Sequence, residues 1–250
     1  MIDMHTHVLP DLDDGAKNER EAQAILEMEL AQGVQEVVFT PHYYGKKRSV
    51  NDFLEQREKA LQKIADRIPE GLKTRLGAEV RLTGVNDPSS DALCKLAIEG
   101  TKCVLVELPF TERWNQSLIT RLSEFVGDTD YTPVIAHIER YQEVWKNPAI
   151  ISAFVKMGCL IQVNTAAFLD KKMRKFAFAL LKRGLVHCLG TDAHNADTRA
   201  PDYAKAKEAA YAAGYGKEWE RVQRHMDKIF AGESVCITCE PIHKFLWWYV

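Results

Sequence analysis

The 250-residue sequence has no run of about 20 apolar residues and no basic-then-apolar leader. It offers neither a membrane-spanning helix nor a secretory signal, so a cytoplasmic protein, not embedded in a membrane, is expected. An excess of either charge is also lacking: 33 Lys and Arg stand against 35 Asp and Glu, a formal net charge of −2. That leaves no overall electrostatic footprint for nucleic acid, and none is expected as a partner. The local runs Lys46, Lys47, Arg48 and Lys171, Lys172, Arg174, Lys175 read as solvated surface. Cysteine is scarce. Cys94, Cys103, Cys159, Cys188, Cys236 and Cys239 lie far apart in a chain long enough to build its own core, which argues against a disulfide framework. No cysteine has an arginine six residues later, which excludes the Cys-x5-Arg loop of a cysteine-nucleophile phosphatase. Cys236 and Cys239 with nearby His243 offer one ligand fewer than a structural zinc site takes.

No internal repeat, low-complexity linker or shift in composition marks a boundary, so one domain over residues 1–235 is expected, followed by a separate tail. That tail, residues 236–250, is unusually aromatic, with Trp247, Trp248 and Tyr249. Three readings stay open for it: docking on the body, a subunit contact in a homo-oligomer, or a cloning remnant.

What the sequence does have is short β-branched runs alternating with helical patterns, the signature of βα units around a parallel sheet. Candidate strands are a stretch ending at Met4, then Glu36 to Thr40, Arg75 to Val80, Cys103 to Leu108, Pro133 to His137, Leu160 to Asn164, and Val186 to Gly190. Between them Ala22, Ile25, Leu26 and Leu30 recur at helical spacing, as do Leu54, Leu61 and Ile64, so these helices can cover a barrel.

Potential metal ligands fall at the ends of those strands. His5 and His7 close the first, His42 follows the second, Glu79 ends the third, Glu107 the fourth and His137 the fifth; Asp192 and His194 follow the seventh. In a β/α barrel the C-terminal strand ends open onto one face, so these groups converge. Imidazole and carboxylate together suit divalent manganese, iron or zinc, and carboxylates can bridge two ions. In His5-Thr6-His7 the strand alternation puts both rings on one side. From the loop Asp11-Leu12-Asp13-Asp14-Gly15, Asp14 beside the flexible glycine is the carboxylate expected to swing back to the cluster. Arg140 and Arg199 should project onto the same face, and a guanidinium fork matches phosphate oxygens. The expected chemistry is a cation-held hydroxide attacking phosphorus in line. His187, His225 and His243 fit no such position and read as structural or surface residues.

These residues resemble the polymerase-and-histidinol-phosphatase (PHP) superfamily, and within it the bacterial capsular and exopolysaccharide protein-tyrosine phosphatases. The resemblance is carried by Ile2-Asp3-Met4-His5-Thr6-His7, Asp11-Leu12-Asp13-Asp14-Gly15, Thr40-Pro41-His42, Gly77-Ala78-Glu79, the run from Pro133 to Tyr141, Met157-Gly158-Cys159, Gln162-Val163-Asn164 and Asp192-Ala193-His194-Asn195. It implies a distorted (β/α)7 TIM-like barrel in a single α/β domain, with a cluster of three divalent ions, manganese before iron or zinc. The family pattern falls on His5, His7, Asp14, His42, Glu79, Glu107, His137, Asp192 and His194, with Arg140 and Arg199 binding phosphate. The implied substrate is the phosphotyrosine tail of a partner bacterial tyrosine kinase that controls polysaccharide export. A small-molecule phosphatase acting on histidinol phosphate, a PHP-type nuclease and a non-catalytic metal-binding scaffold remain as alternatives.

Overall fold

The structure, a computed structural model, describes residues 1–82, 90–110, 113–233, 235, 239–245 and 248–249. Its strands are β1 (Ile2–Thr6), β2 (Glu36–Phe39), β3 (His42–Tyr43), β4 (Lys73–Leu76), β5 (Glu79–Arg81), β6 (Cys103–Glu107), β7 (Thr132–Ile135), β8 (Leu160–Asn164) and β9 (Cys188–Gly190). The main helices are α1 (Glu19–Ala31), α2 (Val50–Ile64), α3 (Ser90–Leu96), α4 (Gln116–Asp128), α5 (Gln142–Lys146), α6 (Ala149–Met157), α7 (Arg174–Lys182), α8 (Tyr203–Ala212) and α9 (Gly216–Phe230). All pairings among β1 to β9 are parallel, in the orders β1-β2-β4 and β3-β5-β6-β7-β8-β9. β1, β6 and β8 are buried along their whole length, as parallel strands covered on both faces must be.

The expected third strand, Arg75 to Val80, is two strands, β4 and β5, interrupted at Gly77 and Ala78. A matching interruption at Thr40 and Pro41 separates β2 from β3. Proline has no N–H to give the ladder. The register survives through Gly77 N–H donating to Phe39 O at 2.9 Å and Glu79 N–H to Pro41 O at 3.1 Å. The paired kinks turn both strands together, and the sheet curls. At its far end Asp192 N–H donates to His5 O at 2.8 Å and His7 N–H to Ala193 O at 2.9 Å, with a parallel bridge between Thr6 and Ala193. The segment after the last strand thus meets the end of the first, and the molecule is a single α/β domain around a curled parallel sheet.

Helix starts follow local chemistry: Asn18 and Ser49 accept from the backbone N–H of Glu21 and Asp52, capping α1 and α2. The buried faces differ from expectation by one residue. In α1 Ala22, Ile25 and Leu26 are buried as expected, but Glu29 rather than Leu30 completes the stripe; in α2 Phe53, Ala60 and Ile64 are fully buried while Leu54 and Leu61 lie at the margin. α9 buries Trp219, Val222, Met226, Ile229 and Phe230, and Trp219 meets Tyr203 and Phe168 edge-on. Such aromatic pairs add about 0.5–1.5 kcal/mol each beyond area burial.

Cys103, Cys159 and Cys188 are buried, and Cys236 and Trp247 lie outside the described residues. Beyond the last helix, Glu240 N–H donates to Arg183 O, Arg183 Nε donates to Pro241 O and Ile242 is buried, so this part of the tail packs on the body. It continues into an antiparallel pair, β10 (Lys244–Phe245) and β11 (Trp248–Tyr249). Among the described residues no helix is long and apolar enough to cross a membrane.

Candidate metal centre

The C-terminal mouth of the curled sheet gathers all nine sequence-predicted ligands and both arginines. His5 lies inside β1, which runs to Thr6 rather than stopping at Met4, and His7 follows it; Glu79 opens β5 instead of closing a strand; Glu107 ends β6. His137 stands just past β7, and Asp192 and His194 follow β9. Two of these residues hold left-handed backbone, His137 at φ 33° and Asp192 at φ 54°, a region non-glycine residues rarely occupy. Both are pinned there: His137 N–H donates to Gln162 Oε1 at 2.6 Å, and Asp192 N–H to His5 O at 2.8 Å. Such outliers concentrate at functional sites, where the surrounding structure over-determines them. Glycine makes room for the cluster. A Cβ on Gly190 would stand 2.5 Å from His5 Cβ, and one on Gly15 2.0 Å from His7 O.

Eight of the nine form three overlapping donor groups: His5, His7, Asp192; His7, Asp14, His42, His194; and His42, Glu79, Glu107, each with its ligand atoms within 4.8 Å of one another. The ninth, His137, places Nε2 2.8 Å from Glu79 Oε1. In the first group His5 Nε2 and His7 Nε2 face each other at 3.1 Å. Glu79 Oε2 lies 3.3 Å from each, and Asp192 Oδ1 at 3.6 and 3.4 Å. An ion with ligands at roughly 2.0–2.2 Å holds neighbouring donors about 3.0–3.5 Å apart, so these spacings suit a cation at the centre. On the outer side Asp14 Oδ1 is 3.3 Å from His42 Nε2 and 3.6 Å from His194 Nε2.

The donors also have capacity to spare. Glu107 Oε2, His137 Nδ1 and His194 Nε2 are buried without a hydrogen-bond partner, whereas Glu79 Oε2 and His42 Nδ1 face each other at 2.9 Å; buried polar atoms are otherwise almost always satisfied. Imidazole and carboxylate donors with unspent lone pairs fit borderline divalent cations. Electrostatics agree. Burial alone would raise Asp192, but the His5, His7 and His137 rings hold its carboxyl well below the usual range. Glu79 is likewise depressed against its burial by His5, His137 and His42. Glu107, buried beside the charge of Glu79, is pushed up to about 7. For His42 burial is outweighed by Asp14 and Glu79, which raise it to about 9, whereas burial and the neighbouring His7 lower His194 to about 3. The protons on Glu107 and His42 are what cations would displace, since ligands must deprotonate to bind.

Around the donors lies a supporting layer that the sequence reading underused. Asp13 rather than Asp14 fixes the histidines, accepting from His7 Nδ1 at 2.7 Å and from His42 N–H at 2.9 Å. Gln162 donates to Asn164 Oδ1, and Asn164 Nδ2 donates to Asp192 Oδ2, each at 2.9 Å. Beneath them the buried Asp3 accepts from Thr191 and His5 N–H, with Glu29 near by through Thr191. Strand alternation signals these residues: 3 and 5 share one face of β1, and 162 and 164 share one face of β8.

The arginines reach Asp192 from outside. Arg140 Nη1 and Arg199 Nη2 both lie 2.9 Å from Asp192 Oδ2, and both side chains stay more than a third exposed. They line a cavity of about 340 Å³ together with Asn164 and Thr198. His187 and His225 stay away from the cluster, His187 as a buried acceptor for Ile161 N–H. His243 is exposed on the tail.

Fold and site define an α/β protein with a histidine and carboxylate cluster at the mouth of a curled parallel sheet. The chain belongs to the CpsB/CapC family of capsular polysaccharide synthesis, whose model matches residues 1–229. It is 32% identical over 209 residues to tyrosine-protein phosphatase YwqE of Bacillus subtilis (strain 168), covering 80% of this chain and 79% of that one. It is 33% identical over 236 residues to tyrosine-protein phosphatase CpsB of Streptococcus pneumoniae, covering 86% and 91%. A crystal structure from work on YwqE and CpsB, described as unique metal-dependent tyrosine phosphatases, superposes with a TM-score of 0.83 at 24% identity, covering 98% of this chain and all of that one. The histidinol phosphate phosphatase of Lactococcus lactis subsp. lactis Il1403, solved with zinc, L-histidinol and phosphate, shares the fold at a TM-score of 0.51 and 16% identity, covering 87% and 93%.

Proposed function

We propose that this chain is a metal-dependent protein-tyrosine phosphatase acting on the phosphotyrosine tail of a bacterial tyrosine kinase that regulates capsular or exopolysaccharide synthesis. The observation that carries the reading is the convergence of His5, His7, Asp14, His42, Glu79, Glu107, His137, Asp192 and His194, with unspent buried donor atoms, at one mouth of the sheet. The family's tyrosine-protein phosphatases support the substrate class. Three overlapping donor groups support a count of three ions, manganese first and iron or zinc next by donor chemistry. The contact between the segment after β9 and the end of β1 supports counting the kinked pairs β2/β3 and β4/β5 as single strands of a distorted (β/α)7 barrel over residues 1–235, with 236–250 as an appended tail.

Bound there, divalent cations would supply Lewis acidity and a water of lowered pKa. The chain's own groups do the rest. Arg140 and Arg199 turn planar donors toward the cavity beside Asp192, where they take phosphoryl oxygens and neutralise charge as it builds. Asn164 fixes the Asp192 carboxylate against their pull. Asp13 holds the His7 tautomer, leaving Nε2 free to face the cluster. The phenol of tyrosine, with an ordinary pKa of about 10, leaves with less help from a general acid than an alkoxide needs. No protein nucleophile is required.

The test compares turnover of a phosphotyrosine peptide, p-nitrophenyl phosphate and histidinol phosphate before and after chelation, with manganese added back. Peptide turnover lost to chelator and restored by metal is expected. Cleavage of histidinol phosphate alone would sink the substrate assignment and favour the small-molecule reading that the Lactococcus fold likeness keeps in view.

A further inference from the structure

Opposite the two arginines, a second cavity of about 490 Å³ opens on the other flank of the cluster, bounded by Asp14 and His42 inward and by Tyr44, Lys47 and Arg48 outward. Its size falls in the roughly 300–1,000 Å³ range of ligand pockets. It exceeds what one phosphoryl group fills. The Tyr44 ring stacks on His42 at 5.0 Å, placing an aromatic wall directly beside a metal-facing imidazole. Lys47 Nζ sits 4.6 Å over the other partner of that stack, the Tyr44 ring, and Lys47 N–H closes the turn on Tyr44 O at 2.8 Å. Arg48 is braced: it donates to His42 O at 2.9 Å and Gln56 Oε1 at 2.6 Å, and its guanidinium lies 4.9 Å from the Phe53 ring.

The cavity is lined by the carboxylates of Asp13 and Asp14 as well as by Lys47 and Arg48, but both carboxylates are engaged elsewhere. The Asp13 carboxylate is committed to His7, Gly15 and His42, and Asp14 points to His42 and His194. Among the described residues neither Lys47 nor Arg48 forms an ion pair with a carboxylate. Two cations on a fixed turn, one carried by an aromatic ring, therefore border a cavity that shares His42 and Asp14 with the metal cluster. Lys47 and Arg48, from the run that reads as solvated surface in sequence, line the outer lip of this cavity, Lys47 while remaining exposed.

We propose that the turn from Tyr44 to Arg48 is a specificity element that holds a second anionic group of the substrate peptide, close in sequence to the phosphotyrosine being cleaved. The inference rests on the phosphotyrosine reading. The second anion is either a carboxylate or another phosphate, and one experiment separates them. Three peptides carry one phosphotyrosine flanked by neutral residues, by glutamates, or by a second phosphotyrosine. Their kcat/KM values are measured on the metal-loaded enzyme, and Kd is measured by fluorescence anisotropy with non-hydrolysable phosphonate versions. Each cation at an exposed site contributes up to about a fivefold factor, so a preference of roughly fivefold to twentyfold for the anionic flanks is expected, shrinking with salt. A stronger preference for the doubly phosphorylated peptide identifies phosphate; equal preference identifies charge alone. Lys47→Ala should reduce the ratio of anionic to neutral peptide, in Kd as in kcat/KM, and Lys47→Glu should invert it. Equal use of all three peptides by the unaltered protein, or an undiminished preference in Lys47→Glu, would overturn this inference alone. No binding of any phosphotyrosine peptide would overturn the substrate reading and this inference with it.

Discussion

The candidate metal centre has a floor and a rim, and they are built by different means. The floor, made by His5, His7, Glu79, His137 and Asp192, is no more than 4% exposed and hangs from strand ends. The rim, made by Asp14, Arg140 and Arg199, has side chains 66%, 38% and 39% exposed and comes from loops and, for Arg140, from the short 3-10 helix Ile138–Arg140. Burial makes each floor carboxylate expensive to leave without its histidines, so the floor is a mutually dependent unit. The rim spends little on stability, and its groups reach inward to the floor from the solvent side. On the proposed reading most ion-holding positions lie deep and the two substrate-binding arginines lie outside them, with Asp14 as the one candidate ligand at the rim.

That contrast breaks most visibly at Asp192, where the two regions meet. Asp192→Ala is expected to bring turnover to background, to strip most of the metal and to cost about 3–5 kcal/mol of stability, because two histidines and two arginines lose their shared carboxylate. Kinetics, metal analysis and chemical unfolding of the purified variant check this; near-normal activity would refute the cluster as drawn. Asp13→Asn leaves the floor's donors in place but loosens His7 and His42, and a 10–100-fold loss of activity or metal affinity is expected. Arg199→Ala touches the rim only: KM for phosphopeptide should rise roughly 10–100-fold, the worth of a charged hydrogen bond, with metal content unchanged. Loss of metal in Arg199→Ala would erase the boundary between the regions.

The smallest effect serves as a control outside both. His187, buried in the core with Ile161 N–H on its Nδ1, is held neutral by burial and by nearby His225 and Arg221, which lower it to about 3. Its folded pKa lies below the unfolded value of about 6.5, so the unfolded chain takes up a proton that the folded one refuses. Stability should be full above pH 6.5 and fall by about 2 kcal/mol toward pH 5, which Tm against pH would record. His187→Asn, which can keep the acceptor, should flatten that slope; an unaltered slope would show the acid sensitivity to belong to the metal centre instead.

Much of this was legible in the sequence because strand ends and side-chain alternation are short-range facts. All nine candidate ligands and both arginines could be placed on one face from spacing and chemistry. The supporting layer was harder. Glu29 sits on an otherwise apolar helix stripe, and only its proximity to Asp3 and Thr191 explains a buried carboxyl there. The kinks at Pro41 and Gly77 depend on two strands bending together, a pairing that no single segment states. The left-handed backbone at His137 and Asp192 is imposed by Gln162 and His5 from distant strands, so no local propensity announces it. The basic run at 46–48 is surface as expected, with Lys46 and Lys47 exposed, and that Lys47 and Arg48 also line a cavity depends on what they face.

The hydrogen bonds joining His5 and His7 to Asp192 and Ala193 tie the start of the chain to a segment made some 190 residues later. During synthesis His42, Glu79 and Glu107 emerge well before Asp192 and His194, and the two donor groups that contain those last residues close only after nearly the whole sheet has been laid down. Contacts so remote in sequence form late in folding. Metal capture by those two groups would therefore report completion of the fold, and a chain cut short before Asp192 would carry seven of the nine candidate ligands with two of the three donor groups left open.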